Sequence, residues 1–147
     1  MTALKIAVGL CKRFEGLRLE PYLCPAGIPT IGYGATYYLD GRKIALTDAP
    51  ITAPQAELML IQSLSSQYLP AALKASPSLI DYPSVLGAIT DFVFNLGASR
   101  YRASTLRKRI DVQDWEGAKA ELAKWVRGGG KILPGLVLRR AVEAKLL

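Results

Sequence analysis

Residues 15–34 read EGLRLEPYLCPAGIPTIGYG, and this stretch decides how the rest of the chain is interpreted. Apolar residues recur every four positions from Ile6 to Phe14, which predicts an amphipathic first helix that ends at Gly16 with Glu15 on its last turn. Within the stretch, prolines and glycines alternate with β-forming residues, which favours short strands and turns. The chain is therefore expected to pass from helix to strand just after Glu15.

Outward from this stretch the chain continues as a small β-region to about residue 50 and then as helices. Asp40-Gly41, between two runs of β-forming residues, is typical of a two-residue hairpin turn. Thr52 with Gln55 three positions later forms a capping-box pattern, which predicts a helix from there to about Tyr68. Apolar residues at helical spacing predict later helices over about 85–96, 115–125 and 136–147. The fold class is therefore α+β: one helix, a small antiparallel sheet, then four or more helices.

The composition fits one globular domain. Half of the 147 residues are hydrophobic and no internal repeat or linker is visible, so a core can form without disulfide or metal staples. Nineteen Lys and Arg residues outnumber twelve Asp and Glu residues, and the net charge is +7. Residues 75–147 contain twelve of the basic and seven of the acidic residues. We therefore expect an anionic partner and a basic surface mainly on the helices.

The rare residue types exclude several kinds of site. No histidine is present, which excludes Ser-His triads, Cys-His dyads and histidine metal sites. Cys11 and Cys24 lack the CxxC spacing of zinc or thiol-redox sites, so both are expected to be free thiols, with Cys11 in the core. We expect neither a metal nor a cofactor. In an enzyme of this composition, carboxyl groups must carry most of the proton chemistry.

Glu15 is the first candidate for that chemistry, because the negative end of a helix dipole favours the protonated carboxyl group that a general acid needs. Cys24 follows after eight intervening residues and Thr30 after five more. This spacing, with the run Thr30–Gly34, resembles the catalytic signature of the phage-type lysozymes, glycoside hydrolase family twenty-four. Further motifs of that family occur in order: FNLG at 94–97, STLR at 104–107, Trp125, the glycines 128–130, PGL at 134–136, Arg139, Arg140 and Glu143. The resemblance covers essentially the whole chain.

The resemblance implies one lysozyme-like catalytic domain over residues 1–147. A small antiparallel β-lobe, about residues 17–50, would face a larger helical lobe, about 52–147 plus the first helix, across an active-site cleft. The implied activity is that of an endolysin, which hydrolyses the β-1,4 bond between N-acetylmuramic acid and N-acetylglucosamine in peptidoglycan and lyses the host cell. Glu15 would be the general acid, and Cys24 and Thr30 would activate or position water. We expect a monomer without a separate wall-binding domain.

Several positions extend or depart from the family pattern. Three residues resemble substrate-binding residues by motif position: Thr36, Phe94 and Thr105. Either Arg139 or Arg140 could approach Glu15, and the sequence leaves this choice open. Ala35 stands where many relatives have histidine, and Cys24 where the best-known relatives have Asp. A thiol with an ordinary pKa is only about 3% ionised at pH 7, so Cys24 needs a lowered pKa to act as a base.

Three other functions are compatible with parts of the sequence. A lytic transglycosylase also needs a catalytic Glu but forms an anhydro sugar without water, and product mass would distinguish it. A catalytically silent cationic protein that binds walls or membranes would keep any killing activity after Glu15→Gln. The basic cluster over residues 100–109 is compatible with nucleic acid, but no nucleic-acid-binding motif accompanies it. We therefore expect no nucleic-acid partner.

The expected location follows from the apolar segments. The longest apolar stretch near the start, Ile6–Cys11, is too short to span a bilayer, and no cleavage pattern of a signal peptide follows it. We therefore expect the protein to accumulate in the host bacterial cytoplasm. Passage to the periplasm or cell wall would then need a separate membrane-permeabilising holin.

Overall fold

Eight α-helices and four short strands make up the computed structural model, which describes residues 1–147. The helices are α1 (Ala3–Phe14), α2 (Ala53–Ser63), α3 (Leu69–Ala75), α4 (Pro83–Leu96), α5 (Ala98–Ala103), α6 (Thr105–Asp111), α7 (Trp115–Leu122) and α8 (Pro134–Ala144). The strands are β1 (Arg18–Leu23), β2 (Pro29–Gly32), β3 (Arg127–Gly128) and β4 (Lys131–Ile132). This order confirms the α+β class that the sequence predicts.

The first helix has Phe14 as its last residue, so Glu15 lies just outside its last turn. Glu15 has extended backbone angles, φ −90° and ψ 135°, and its N–H donates to the Cys11 carbonyl at 2.8 Å, so it caps α1 from outside the last turn. Gly16 does not adopt the positive φ of a typical helix-ending glycine. The extended cap turns the chain directly into β1, and the expected position of Glu15 on the last turn is wrong.

The β-region contains two reversals, and the second differs from the prediction. β1 and β2 pair antiparallel, with Tyr22 opposite Thr30. Farther along, the N–H of Tyr38 donates to the Arg42 carbonyl at 2.8 Å, and the N–H of Gly41 donates to the Tyr38 carbonyl at 3.0 Å. Gly41 has φ +87°, so the reversal is a three-residue loop that ends in a left-handed glycine, not the two-residue turn predicted from Asp40-Gly41.

The capping box is confirmed. Thr52 Oγ1 accepts from the N–H of Gln55 at 3.2 Å, and Gln55 Oε1 accepts from the N–H of Thr52 at 2.8 Å. The helix that it starts is longer than predicted, because α2 continues through a π-helical segment, Leu64–Tyr68, into α3. This segment is called the π-segment below.

Helix α4 is the centre of the helical part, and its residues Val85–Val93 are all buried. Helix α1 crosses it so closely that a Cβ added at Gly87 would lie 2.5 Å from Ile6 Cγ2, so glycine is needed there. The main core joins buried side chains from α3 to α7. Cys11 lies in a second core cluster between α1 and α2, and both cysteines are free, as predicted.

The C-terminal part contains one hairpin that the sequence pattern does not predict. Helix α7 ends at Leu122, not at 125, although Trp125 still packs edge-on against Phe92 with 5.5 Å between ring centroids. The glycines that follow do not simply end a helix, because β3 pairs with β4 around Gly129 and Gly130, which both have positive φ. No helix in the structure combines the length and the apolar character needed to cross a membrane.

Candidate active site

A cavity of about 440 Å³ lies where the β-region meets the helices. One wall comes from the end of α1 and the loop after β2, and the other from α2, the π-segment and α4. The lining residues are Glu15, Tyr33, Gly34, Ala35, Thr36, Tyr37, Leu60, Ser63, Gln67, Tyr68 and Phe94. The cavity is mixed in character, because aromatic faces alternate with hydroxyl and amide groups.

Glu15 contributes the carboxyl group of this cavity, and its side chain is 28% exposed. Arg139 Nη1 donates to Glu15 Oε1 at 2.9 Å, across 124 positions of the chain. The Arg139 side chain is only 4% exposed, so the guanidinium side of this ion pair is shielded from water. Arg139, and not Arg140, is therefore the basic partner of Glu15.

Arg139 is held from behind by Asp91 on α4. Its Nε donates to Asp91 Oδ2 at 2.9 Å and its Nη2 to Asp91 Oδ1 at 2.6 Å, which is the bidentate geometry that suits a guanidinium and a carboxylate. Burial alone would raise the pKa of Asp91, but the hydrogen bonds and charge of Arg139 outweigh it, and the pKa lies below its ordinary value. Asp91 is 0% exposed and therefore depends on Arg139 for its charge compensation.

The thiol of Cys11 completes this arrangement from α1. Cys11 Sγ donates to Asp91 Oδ1 at 3.2 Å. Burial is the main reason why the pKa of Cys11 lies far above its ordinary value, and the neighbouring Asp91 charge raises it further. Cys11 is therefore a neutral hydrogen-bond donor and not a reactive thiolate.

Asp91 is the residue of this candidate site that the sequence interpretation missed. A signal for it exists, because Asp91 is the only charged residue in the otherwise apolar helix PSVLGAITDFVFNL. A lone charge on a buried helix needs a partner or a ligand. The identity of that partner is not readable from spacing, since Arg139 lies 48 residues farther along the chain.

Cys24 directly follows β1 and Thr30 is on β2, so both belong to the same hairpin, but neither lines the cavity. The backbone N–H of Ile28 is the main cause of a lowered pKa of the Cys24 thiol. Burial opposes this shift, and the Ala26 N–H supports it. The Thr30 hydroxyl donates to the Ile28 carbonyl at 2.8 Å. Its proton is therefore used, and its oxygen is free to accept a hydrogen bond.

The three expected substrate-binding residues have different positions. Thr36 and Phe94 line the cavity, and Tyr68 packs edge-on against Phe94 with 5.0 Å between ring centroids. Thr105 is the exposed first residue of α6 and does not line the cavity. Ser63 and Gln67 were not expected, although their i, i+4 spacing is that of two residues on one helix face.

Comparisons with known proteins agree over nearly the whole chain. The family model described as Phage lysozyme matches residues 12–143. An endolysin of Acyrthosiphon pisum secondary endosymbiont phage 1 is 38% identical over 141 residues, covering 93% of this chain and 91% of that protein. The solved endolysin from Escherichia coli O157:H7 phage FAHEc1 has a TM-score of 0.81 at 30% identity and covers 99% and 92% of the two chains. The muramidase domain of SpmX from Asticaccaulis excentricus has a TM-score of 0.77 at 27% identity and covers 95% and 92%.

Proposed function

Since the chain belongs to the phage lysozyme family and is an endolysin, a muramidase that acts on bacterial peptidoglycan, we propose a specific reaction and specific residues for it. The reaction is hydrolysis of the β-1,4 bond between N-acetylmuramic acid and N-acetylglucosamine. Glu15 in its protonated form is the general acid that gives its proton to the leaving oxygen, and Cys24 with Thr30 activates or positions the attacking water.

The observation that carries this proposal is the placement of Glu15. It is the only carboxyl group among the residues that line the cavity, and Arg139 holds it at 2.9 Å. Protonation of a glycosidic oxygen requires a carboxyl group within hydrogen-bond reach of the substrate and fixed in orientation. A cavity that is lined by aromatic faces and hydroxyl groups suits a sugar polymer, and Thr36 and Phe94 are the proposed binding residues within it. Thr105, outside the cavity, has no role in this proposal.

The β1–β2 turn supports a role for the other two residues. The lowered pKa of Cys24 increases its thiolate fraction at neutral pH, and only the thiolate can accept a proton from water. The oxygen of Thr30 is available as an acceptor because its proton is bonded to the Ile28 carbonyl. A water molecule that donates to both groups would present its lone pair to the anomeric carbon.

The test is clearing of purified peptidoglycan by the wild type and by Glu15→Gln, with mass spectrometry of the soluble fragments. Glu20→Gln is the matched control, because Glu20 is an exposed carboxylate on β1 outside the cavity. We expect the wild type and the control to release fragments with reducing-end muramic acid, and Glu15→Gln to release essentially none. Anhydro-muramic products would instead identify a transglycosylase. Unchanged clearing by Glu15→Gln would refute its role as the acid.

Cys24 and Thr30 are tested in the same assay by conservative pairs. Cys24→Asp replaces the thiolate by a carboxylate, which can also accept a proton, and is expected to keep activity. Cys24→Ser introduces a hydroxyl that is not ionised at neutral pH and is expected to lose most of the activity. Thr30→Ser keeps the hydroxyl and Thr30→Val removes it at equal shape, so only the valine variant should be impaired. Full activity of Cys24→Ser would show that the thiol has a structural role only.

The cellular role is a further part of the proposal. We propose that the enzyme lyses its host from within and reaches the wall after a holin has permeabilised the membrane. The endolysin relatives support the lytic role. Expression in a bacterial host with and without a membrane-permeabilising agent tests it: lysis should follow only when both the wild-type enzyme and the agent are present, and not with Glu15→Gln. Lysis without the agent would contradict the need for a holin.

A further inference from the structure

Two polar side chains on the helical wall of the cavity are not used in the reaction proposed above. Ser63 is the last residue of α2 and Gln67 belongs to the π-segment, and both line the cavity. Glu15 and Thr36 lie on the other wall, which is formed by the end of α1 and the loop after β2. Ser63 and Gln67 therefore border the space that a glycan strand would occupy beside Glu15.

The side chains of Ser63 and Gln67 form no hydrogen bond within the protein, unlike those of their polar neighbours. The hydroxyls of Ser65 and Ser66 both donate to the Gln62 carbonyl, at 3.2 and 2.7 Å. Polar groups in a binding cavity need partners, and those that the protein does not supply come from a ligand or from water. Ser63 and Gln67 thus keep their full hydrogen-bonding capacity for a ligand.

A π-helical turn underlies this part of the wall. The N–H of Leu69 donates to the Leu64 carbonyl, which is the i→i+5 pattern of a π-helix. Such turns are rare and occur frequently at functional sites. Gln67 and Tyr68 of this turn line the cavity together with Ser63 from the preceding turn. Side chains four positions apart on a helix are neighbours, with about 5–6 Å between their Cβ atoms, so both can contact one group of a ligand.

The surroundings of this pair suit an acetamido group. An acetamido group needs an acceptor for its N–H, a donor for its C=O and an apolar contact for its methyl group. Leu60, Tyr68 and Phe94 lie on the same wall and provide the apolar surface. Glu15 is the only charged residue that lines the cavity, so this wall offers no cation to a carboxylate. A ring hydroxyl has no methyl group that could use the apolar side chains.

We propose that Ser63 and Gln67 bind the 2-acetamido group of the sugar in the cavity and make the enzyme specific for N-acetylated glycan strands. The carboxamide of Gln67 contains two donor positions and an acceptor, and the hydroxyl of Ser63 can donate or accept. The N–H and C=O of a trans amide point in opposite directions, so one side chain can bind each. This role rests on the proposed function, because it requires the glycan to lie in the cavity that contains Glu15.

The specificity is tested with purified peptidoglycan, with its chemically N-deacetylated form and with the same material after re-N-acetylation. The wild type should clear the acetylated and re-acetylated forms at similar rates, and the deacetylated form at least about tenfold more slowly. In Gln67→Leu and Ser63→Ala, kcat/KM on the acetylated form should fall about three- to tenfold, mainly through a higher apparent KM. Their activity on the deacetylated form should equal that of the wild type.

Gln62→Leu and Ser65→Ala are the matched controls, because they change the same residue types at exposed positions of the same helical stretch outside the cavity. Both should keep the preference of the wild type for the acetylated form. An equal loss of activity on both forms in Gln67→Leu would overturn the proposal, because the pair would then bind a group that both forms contain. If Ser63→Ala does not fold, Gln67→Leu decides, since Gln67 is exposed and outside the core.

Binding without cleavage separates this proposal from the proposed function. NMR titration of the Glu15→Gln protein with tri-N-acetylchitotriose and with its N-deacetylated counterpart measures the acetamido contact in the absence of catalysis. We expect Gln67→Leu in this background to weaken binding of the acetylated oligosaccharide about three- to tenfold and to leave binding of the deacetylated one unchanged. Unchanged affinity for the acetylated oligosaccharide, or no binding of it, would overturn the proposal. Full clearing by Glu15→Gln would refute its role as the acid, while the titration would still decide the acetamido site.

Discussion

Replacement of Arg139 by methionine removes the guanidinium that joins Glu15 to Asp91 and leaves an apolar chain of similar length. Three hydrogen bonds disappear: two to Asp91, at 2.9 and 2.6 Å, and one to Glu15, at 2.9 Å. Glu15 is 28% exposed and can regain water, whereas Asp91 is 0% exposed and cannot. The energetic consequence therefore falls mainly on Asp91.

Its magnitude follows from the burial of Asp91. Breaking a buried ion pair by removing one partner costs about 3–5 kcal/mol, because the remaining charge is uncompensated. We expect Arg139→Met to lower the free energy of unfolding by this amount and the Tm by about 6–20 °C. Arg42→Met is the matched control: Arg42 pairs with Asp48 but is 59% exposed, so its loss should cost about 1 kcal/mol or less.

Urea unfolding followed by circular dichroism measures both variants. In the Arg139→Met background, Asp91→Asn removes the uncompensated charge and should restore at least about 1 kcal/mol. The deficit of Arg139→Met should also shrink in acid. Because the pKa of Asp91 is lowered in the folded wild type, ionised Asp91 stabilises the wild type at pH values above the ordinary Asp pKa. This stabilisation is lost as the pH falls through the pKa of Asp91 in the folded state. Arg139→Met lacks this stabilisation at every pH, so its free energy of unfolding approaches that of the wild type in acid.

A deficit of Arg139→Met below about 1 kcal/mol, in the range of an exposed pair, would refute the reasoning. So would a deficit that Asp91→Asn increases, because the carboxylate would then not be the destabilising group.

Three further predictions concern other parts of the molecule. A thiol-alkylating reagent should label Cys24 and spare Cys11 in the native protein. Because a backbone N–H lowers the pKa of Cys24, its labelling should begin at a lower pH in the native protein than in the unfolded chain. Faster labelling of Cys11 than of Cys24 would contradict this prediction. Asp48→Asn should make the free energy of unfolding, measured by urea titration, less sensitive to acid. The N–H of Ala45 holds the pKa of Asp48 below its ordinary value, so ionised Asp48 stabilises the fold, and this stabilisation is lost as the pH falls through that lowered pKa. An unchanged pH profile of the variant would contradict this prediction. Thr52→Ala should cost about 1 kcal/mol of unfolding free energy and leave clearing activity intact, with Thr52→Ser as the control that keeps the cap.

Much of the secondary structure was predictable because its causes are local. The capping box at Thr52 and the apolar run closed by Gly97 each depend on residues within one or two helical turns. The same is true of the change from helix to strand after Glu15, which depends on adjacent glycines and prolines. Some predictions failed in detail. The loop at Asp40-Gly41 has three residues where two were predicted, and the residue types alone do not distinguish these two loop lengths.

The candidate site was predictable only in part. The spacing of Glu15, Cys24 and Thr30 is readable along the chain, and the family resemblance assigns roles to those three positions. That resemblance is confirmed by the comparisons. Asp91 was not found, because nothing in its neighbourhood shows which distant residue it compensates.

By itself, then, the sequence determined the α+β class, the family and the residue that lies at the end of α1, because periodicity, turn chemistry and motif spacing are properties of neighbouring residues. The tertiary structure alone decided that Arg139 pairs with Glu15 while Arg140 turns to Asn95. Adjacent residues on a helix point about 100° apart, so the packing angle of α8 determines which of the two meets Glu15. The tertiary structure likewise buried two acidic side chains, Asp91 on α4 and Glu143 on α8. Burial and the neighbouring groups shift the pKa values of these carboxyl groups, and the linear sequence does not show such shifts.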